Sequence, residues 1–245
     1  MPMLASPTRD THRMPVSEAV ESWRPWHNYA RRATLGSLQL DLVPLEERHR
    51  RQMEQFQDRL DAETVYLRHG SYFSAAIRKS TSWLARQWNE EGREQFSQGA
   101  FLNGQLIGIG SIYRLSGGKS AEAALVVVPE FQGLGRGGEK GVGGLLLEDL
   151  IRYARQQDFD RVIAYLAVRN PRCERLLRKH GIEIVHSPCL EQERLAVLDL
   201  SRQISEPPNL AHASAPDEAP AWSPPRRLAS SLSLILAPNI ELPHA

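Results

Sequence analysis

AEAALVVVPEFQGLGRGGEKGVGGLLLEDL, residues 121–150, decides the reading of this chain. The run Leu125 to Val128 is apolar and β-branched, as a buried strand is, and Pro129 ends it because proline cannot donate to a ladder. Glycines crowd the next stretch, from Gly133 to Gly144. After them Leu145, Leu146, Leu147, Leu150, Ile151 and Ala154 make the apolar stripe of a helix of about three turns. A strand that empties through glycines into a helix is suited to an anion. The first-turn N–H groups lack partners, the helix dipole is positive there, and glycine lets the backbone approach without a Cβ.

Two common phosphate loops fit poorly. A Walker loop needs Gly-Lys-Ser/Thr, whereas Lys140 stands between Glu139 and Gly141. Gly133, Gly135 and Gly138 satisfy G-x-G-x-x-G, yet a dinucleotide site sets its first glycine directly at the strand end. Here Pro129 to Gln132 intervene, and several elements have already passed. A dinucleotide-binding enzyme is the least favoured reading.

The whole chain narrows the field. Its formal charge is +1, from 30 basic and 29 acidic side chains over 245 residues. That balance gives no electrostatic case for a nucleic-acid or membrane partner. Cys173 and Cys189 have no metal-ligand spacing, so reduced structural thiols and no metal are expected. LSLILAP near the C-terminus is too short to cross a bilayer, and the N-terminus has no signal-peptide core. A cytoplasmic protein is expected.

Taken in order, residues 1–34 read as an irregular arm, with a short helix near Val16 to Tyr29. Leu38, Leu40 and Leu42 alternate with polar residues, giving a strand that Pro44 ends. Helices are expected over 45–60, from Ala62, and over 75–88, the last burying Ile77, Trp83, Leu84 and Trp88. Asn103-Gly104 joins strands Ala100–Leu102 and Leu106–Leu115, since Asn-Gly supplies the positive φ of a tight hairpin. Strand Ala121–Val128, the glycine stretch, the leucine helix and strand Arg161–Val168 form a βαβ unit. Asn170-Pro171 opens a basic helix that Gly181 stops. Ile182–Val185 and Leu195–Leu200 are the last strands. Residues 202–245, rich in Pro, Ala and Ser, read as a disordered tail, leaving 35–201 as the domain.

The order strand, Pro-x-x-Gln-Gly, glycines, apolar helix, strand, Asn, helix, Gly resembles the acetyl-coenzyme A-binding core of the GNAT superfamily of N-acetyltransferases. Its pattern is closest to the bacterial protein-lysine acetyltransferase-like branch. The resemblance implies a mixed α+β fold, with a mostly antiparallel central sheet and helices on both faces. It implies that the strand ending at Val128 splays from its neighbour and that Val126, Val127 and Val128 take the pantetheine arm. Gln132, Gly133, Gly135 and Gly137 fill the pyrophosphate loop, with Gly141, Val142, Gly143 and Gly144 at the helix start. Family members fuse these two halves, whereas here Leu134 to Lys140 holds them apart. That insertion brings Arg136 and Lys140 near the phosphates or weakens binding.

By the same resemblance Glu122 is the general base, an N–H near Val127 or Val128 serves the oxyanion, and Asn170 orients the coenzyme arm. The usual tyrosine acid is replaced by Leu177, so the thiolate leaves unaided or Tyr165 or Cys173 stands in. LDAETVYLRHG (60–70) is similar to the substrate-side helix, placing Glu63, Tyr66 and Arg68 at the acceptor. His180 and His186 are weaker candidates as bases. The implied activity is acetyl transfer from acetyl-CoA to an amine, of a small molecule or a protein lysine, with a homodimer left open. The alternative is a non-catalytic acetyl-CoA-binding module, which the lengthened loop and Leu177 both suggest.

Overall fold

The computed structural model describes residues 26–90, 93–116, 118–133, 140–185 and 192–201. Eight strands lie in the order β1-β2-β3-β4-β5-β6-β8-β7. They are β1 (Arg31–Leu35), β2 (Leu38–Pro44), β3 (Gln95–Leu102), β4 (Gln105–Arg114), β5 (Ser120–Val127), β6 (Arg161–Ala167), β7 (Glu183–Val185) and β8 (Glu193–Asp199). Every neighbouring pair is antiparallel except β5 with β6. The mixed α+β, mostly antiparallel sheet expected from the sequence is therefore present.

The helices are α1 (Arg50–Asp58), α2 (Ala62–His69), α3 (Ala75–Arg78), α4 (Thr81–Leu84), α5 (Val142–Gln156) and α6 (Pro171–Lys179). Helix α5 packs on β3, β4 and β5, α1 on β4, α2 on β5 and β6, and α6 on β7. Side chains alternate across a strand, and Phe96, Ile112, Ala121 and Ala123 join Leu150, Tyr153 and Ala154 of α5 in one cluster. The odd-numbered residues of β5 thus face α5. Glu122, Ala124 and Val126 face the other side, where α1 and α2 lie. Helix α6 shares the α5 face through Leu177, which packs with Leu147, Ile151, Leu166 and Ile184.

Local chemistry explains most boundaries. Asn103 and Gly104 have φ of 50° and 77°, as a two-residue hairpin demands. Asp61 accepts from the N–H of Thr64 at 2.7 Å to cap α2, and Gly70 ends it in the left-handed region with φ of 68°. The single helix expected over 75–88 is instead two short ones. Ser74 caps α3 and Ser80 caps α4, each offering its hydroxyl to the N–H three residues on, so a serine restarts the chain mid-segment. Trp83, Leu84 and Trp88 are buried as expected, but Ile77 is 47% exposed, because α3 ends before its apolar side reaches the core.

The boundary expected at residue 35 falls inside β1, which pairs with β2 along its length. Its tie to the core is polar and so left no apolar period to read. Arg31 Nε donates to Asp149 at 2.9 Å, and the Gln98 amide donates to the Tyr29 carbonyl at 3.1 Å. Of the arm helix expected over 16–29, residues 16–25 and the expected tail lie outside the described residues. No helix among the described residues is long and apolar enough to cross a membrane.

Candidate functional site

Parallel pairing of β5 with β6 covers only Ser120–Glu122 against Arg161–Ile163. Beyond that, β5 stays with β4 as far as Val127 and β6 stays with β8 as far as Ala167. The two strands part, and a groove opens in the middle of the sheet with Glu122 at its closed end and Val127 at its mouth. From Glu122 to Val127 a strand rises about 17 Å, close to the length of an extended pantetheine arm.

The phase of the β4–β5 ladder tells which backbone groups face this groove. Val128 N–H donates to the Ile107 carbonyl at 3.0 Å, and Leu115 N–H to the Ser120 carbonyl at 2.8 Å. In an antiparallel ladder one residue directs both main-chain groups to the same side and its neighbour to the opposite one. Ser120, Glu122, Ala124, Val126 and Val128 are therefore committed to β4. Ala123, Leu125 and Val127 turn the other way: the Ala123 N–H closes the parallel ladder on the Ile163 carbonyl, and beyond it the Ala123 C=O and the groups of Leu125 and Val127 face the groove. This corrects the expectation for three successive valines, since only Val127 offers main-chain groups there. It also removes the Val128 N–H as an oxyanion donor. The sequence could not reveal Ala123 and Leu125, because alternation fixes two sets of residues without saying which set meets β4.

Gln132 sits at the mouth. Its amide nitrogen donates to the Val127 carbonyl at 2.8 Å and to Thr64 Oγ1 at 3.1 Å, and Arg172 Nη1 approaches its Oε1 at 3.4 Å. One side chain thus links the end of β5 to α2 and α6. Gly133 follows with φ of 77°, a backbone that only glycine adopts freely. Gly135 and Gly137, like Arg136, His186 and Cys189, lie outside the described residues.

Helix α5 begins with Gly141 as its extended N-cap and no capping side chain. The first intrahelical bond runs from Leu145 N–H to the Gly141 carbonyl at 3.1 Å. The N–H groups of Val142, Gly143 and Gly144 precede it and have no carbonyl a turn behind them. A Cβ on Gly143 would stand 3.3 Å from Leu176 Cδ2 and 3.9 Å from Val127 Cγ2. The start of α5 is therefore packed between α6 and the groove mouth, its positive end beside Val127.

Across the groove, Asn170 Oδ1 accepts from Cys173 N–H at 3.1 Å and caps α6. Leu177 is 2% exposed in the core under α6, so the place expected for an acid does not face the groove. Burial pushes the Cys173 thiol up to about 11, which makes it a poor proton donor. Tyr165 is half-buried on the opposite face, packed on the cluster of Leu115, Ile163 and Leu195.

Helix α2 spans the groove on the Glu122 face. Thr64 meets Gln132 at one end. Tyr66 donates to Gln192 at 3.4 Å, lies 4.9 Å from the Tyr72 ring, and carries the Arg169 guanidinium 4.3 Å from its centroid. Tyr66 and Arg68 are half-buried, whereas Glu63 is exposed in the first turn. Thr64, Arg169, Tyr72 and Arg172 escaped the sequence reading because only the fold brings them together. Among the described residues no cluster of three His, Cys, Asp or Glu could hold a metal.

A mid-sheet groove opening beside an uncapped helix N-terminus is the arrangement of the GNAT fold. Residues 62–182 match the model described as the acetyltransferase (GNAT) family. The chain has the fold of the GNAT domain of S. lividans PAT, with TM-score 0.64 and 18% identity over 73% of this chain and 100% of that one. It is also similar to Mycobacterium smegmatis RimJ in complex with CoA-disulfide, with TM-score 0.54 and 13% identity over 70% and 87%. A further similar structure is the PaiA N-acetyltransferase of Thermoplasma acidophilum in complex with coenzyme A, with TM-score 0.52 and 14% identity over 65% and 98%. No curated protein matches the chain.

Proposed function

We propose that the chain binds acetyl-CoA in the β5–β6 groove and transfers the acetyl group to an amine. The observation that carries this is the Ala123 C=O, both main-chain groups of Leu125 and the Val127 N–H, left open by the parting of the strands and leading to the bare first turn of α5. The amides of a pantetheine arm match those groups. A pyrophosphate matches the N–H groups of Val142, Gly143 and Gly144. The coenzymes in the RimJ and PaiA structures support the same use of this fold.

With the phosphates at α5, the thioester falls toward the closed end, beside Glu122. Its carboxylate leaves β5 on the α2 face, so the acceptor enters between α2 and the sheet, past Tyr66 and Arg68. Glu122 takes the proton from the acceptor's ammonium. The amine nitrogen then bonds to the acetyl carbon as the carbon–sulfur bond breaks and its electron pair leaves with the thiolate. The N–H group of Leu125 is placed to receive the charge that gathers on the carbonyl oxygen. No side chain on α6 is needed as the acid, since a thiolate is a stable leaving group. Asn170 is assigned to orient the arm, and the domain serves as a cytoplasmic enzyme.

Calorimetry with acetyl-CoA, followed by thiol release against a panel of small amines and lysine peptides, tests the proposal. Absence of coenzyme binding overturns it. Binding without release against any amine favours a coenzyme-binding module, the second reading, which the core position of Leu177 supports.

A further inference from the structure

Lys140 is the residue just before the α5 N-cap, and its ammonium is bound back onto the helix. Its Nζ lies 2.5 Å from Glu148 Oε1, about two turns further along. The same carboxylate oxygen lies 3.6 Å from Nε2 of His180 at the end of α6. Both partners sit close to the first turn, since a Cβ on Gly144 would be 3.6 Å from Lys140 Cβ and 3.6 Å from His180 Cε1. Glu148 is therefore a shared counter-ion between two bases, beside helix N–H groups that no side chain caps.

The two claims on Glu148 are unequal. His180 Nδ1 lies 2.9 Å from the Leu176 carbonyl, which can only accept, so Nδ1 carries the hydrogen. In a neutral ring Nε2 then meets Glu148 with a lone pair, and only a doubly protonated ring donates to it. Lys140 is accordingly the partner while it stays. Glu148 and, through it, Lys140 are the charged groups that the structure sets against the imidazole.

Resting on the acetyl-CoA reading above, we propose that Lys140 is a ligand of the coenzyme pyrophosphate, held on Glu148 in the free protein. When the pyrophosphate reaches the first turn of α5, the ammonium moves to it, since the diphosphate carries more charge than one carboxylate. Glu148 then keeps the His180 imidazole as its neighbour. The insertion before α5 thus supplies a cation where the fold otherwise offers only N–H groups. The carboxylate keeps that cation from lying unpaired when the site is empty.

The test measures binding of coenzyme A, dephospho-coenzyme A and phosphate-free pantetheine to the full chain by calorimetry. Lys140→Met is expected to raise the Kd for coenzyme A about tenfold, as loss of one charge-assisted contact does. The same ratio is expected with dephospho-coenzyme A, and none with pantetheine. Glu148→Gln, which frees the lysine, is expected to tighten coenzyme A a few-fold. Equal Kd values for wild type and Lys140→Met overturn the proposal, as does a loss that pantetheine shares or that dephospho-coenzyme A does not. If wild type binds no coenzyme A, the failure lies in the function reading rather than in the role of Lys140.

Discussion

Replacing Glu122 by Gln tests the chemistry most directly. The side chain keeps its shape, and the main chain of residue 122 stays in the β4 ladder opposite Tyr113. The groove backbone at Ala123, Leu125 and Val127 is untouched, so the Kd for acetyl-CoA is expected to change by less than about twofold. What disappears is a base. A positioned general base is worth about 10² to 10⁴ in rate, or roughly 3 to 5 kcal/mol of barrier. Glu122 is half-buried rather than sealed, so water can substitute in part, and a fall in kcat of about 10² to 10³ is expected. The assay is thiol release at saturating acetyl-CoA with the best amine of the panel, set beside calorimetric coenzyme binding. A kcat within a factor of three of wild type refutes the role of Glu122. A Kd ten times weaker with kcat preserved refutes the geometry, because it puts residue 122 in the coenzyme site instead of beside the acceptor.

Other perturbations separate packing from function. Asn170→Asp keeps the α6 cap, since the two residues cap about equally, but sets a carboxylate beside an anionic ligand. Thermal stability is expected to hold while the coenzyme Kd rises about tenfold, and an unchanged Kd removes Asn170 from the site. Gly110→Ala would bring a Cβ to 3.1 Å from Leu125 Cδ2 and 3.3 Å from Leu146 Cβ. Urea unfolding is expected to show a loss of about 1–3 kcal/mol, and a stabilised variant contradicts the packing of α5 on β4. Burial raises the Asp149 carboxyl above its ordinary value, against the pull of Arg31, Arg152 and Gln98. A raised acid stabilises the fold below its unfolded pKa, and that stability is lost as pH climbs through the folded value. The stability of wild type relative to Asp149→Asn should therefore fall as pH rises above the ordinary aspartate value of about 4. Urea midpoints that diverge in favour of wild type as pH rises would show that the arginines dominate.

Much of the fold was legible because its elements carry their own punctuation. Pro129 marks the strand end, Asn103-Gly104 the hairpin, and Asn170-Pro171 the start of α6. Strand β1 was missed because polar contacts hold it, through Arg31 with Asp149 and the Tyr29 carbonyl with Gln98, and polar contacts leave no period in a sequence. The region of the site was legible for the same reason as the fold. Its finer residues were not. Whether Val126 or Val127 faces the groove depends on ladder phase, which is set by β4, where their partners Ile109 and Gly108 lie 17 and 19 positions back in the chain. The meeting of Thr64, Gln132 and Arg172 depends on three elements arriving together, and no local rule foretells it.

The short seam between β5 and β6 divides the sheet into two antiparallel halves, β1 to β5 and β6-β8-β7. The ladders within each half run along most of their strands, while the seam joins β5 and β6 over only three residue pairs. In mechanical terms it is the line of least resistance across an otherwise continuous surface. Amides of Leu125 and Val127 should exchange with solvent like those of an outer edge, although they lie mid-sheet. A ligand drawn into the opening would bond to backbone on β5 and bring the halves into register as an inserted strand does. Occupancy should then be readable as slowed exchange along a line that crosses the molecule.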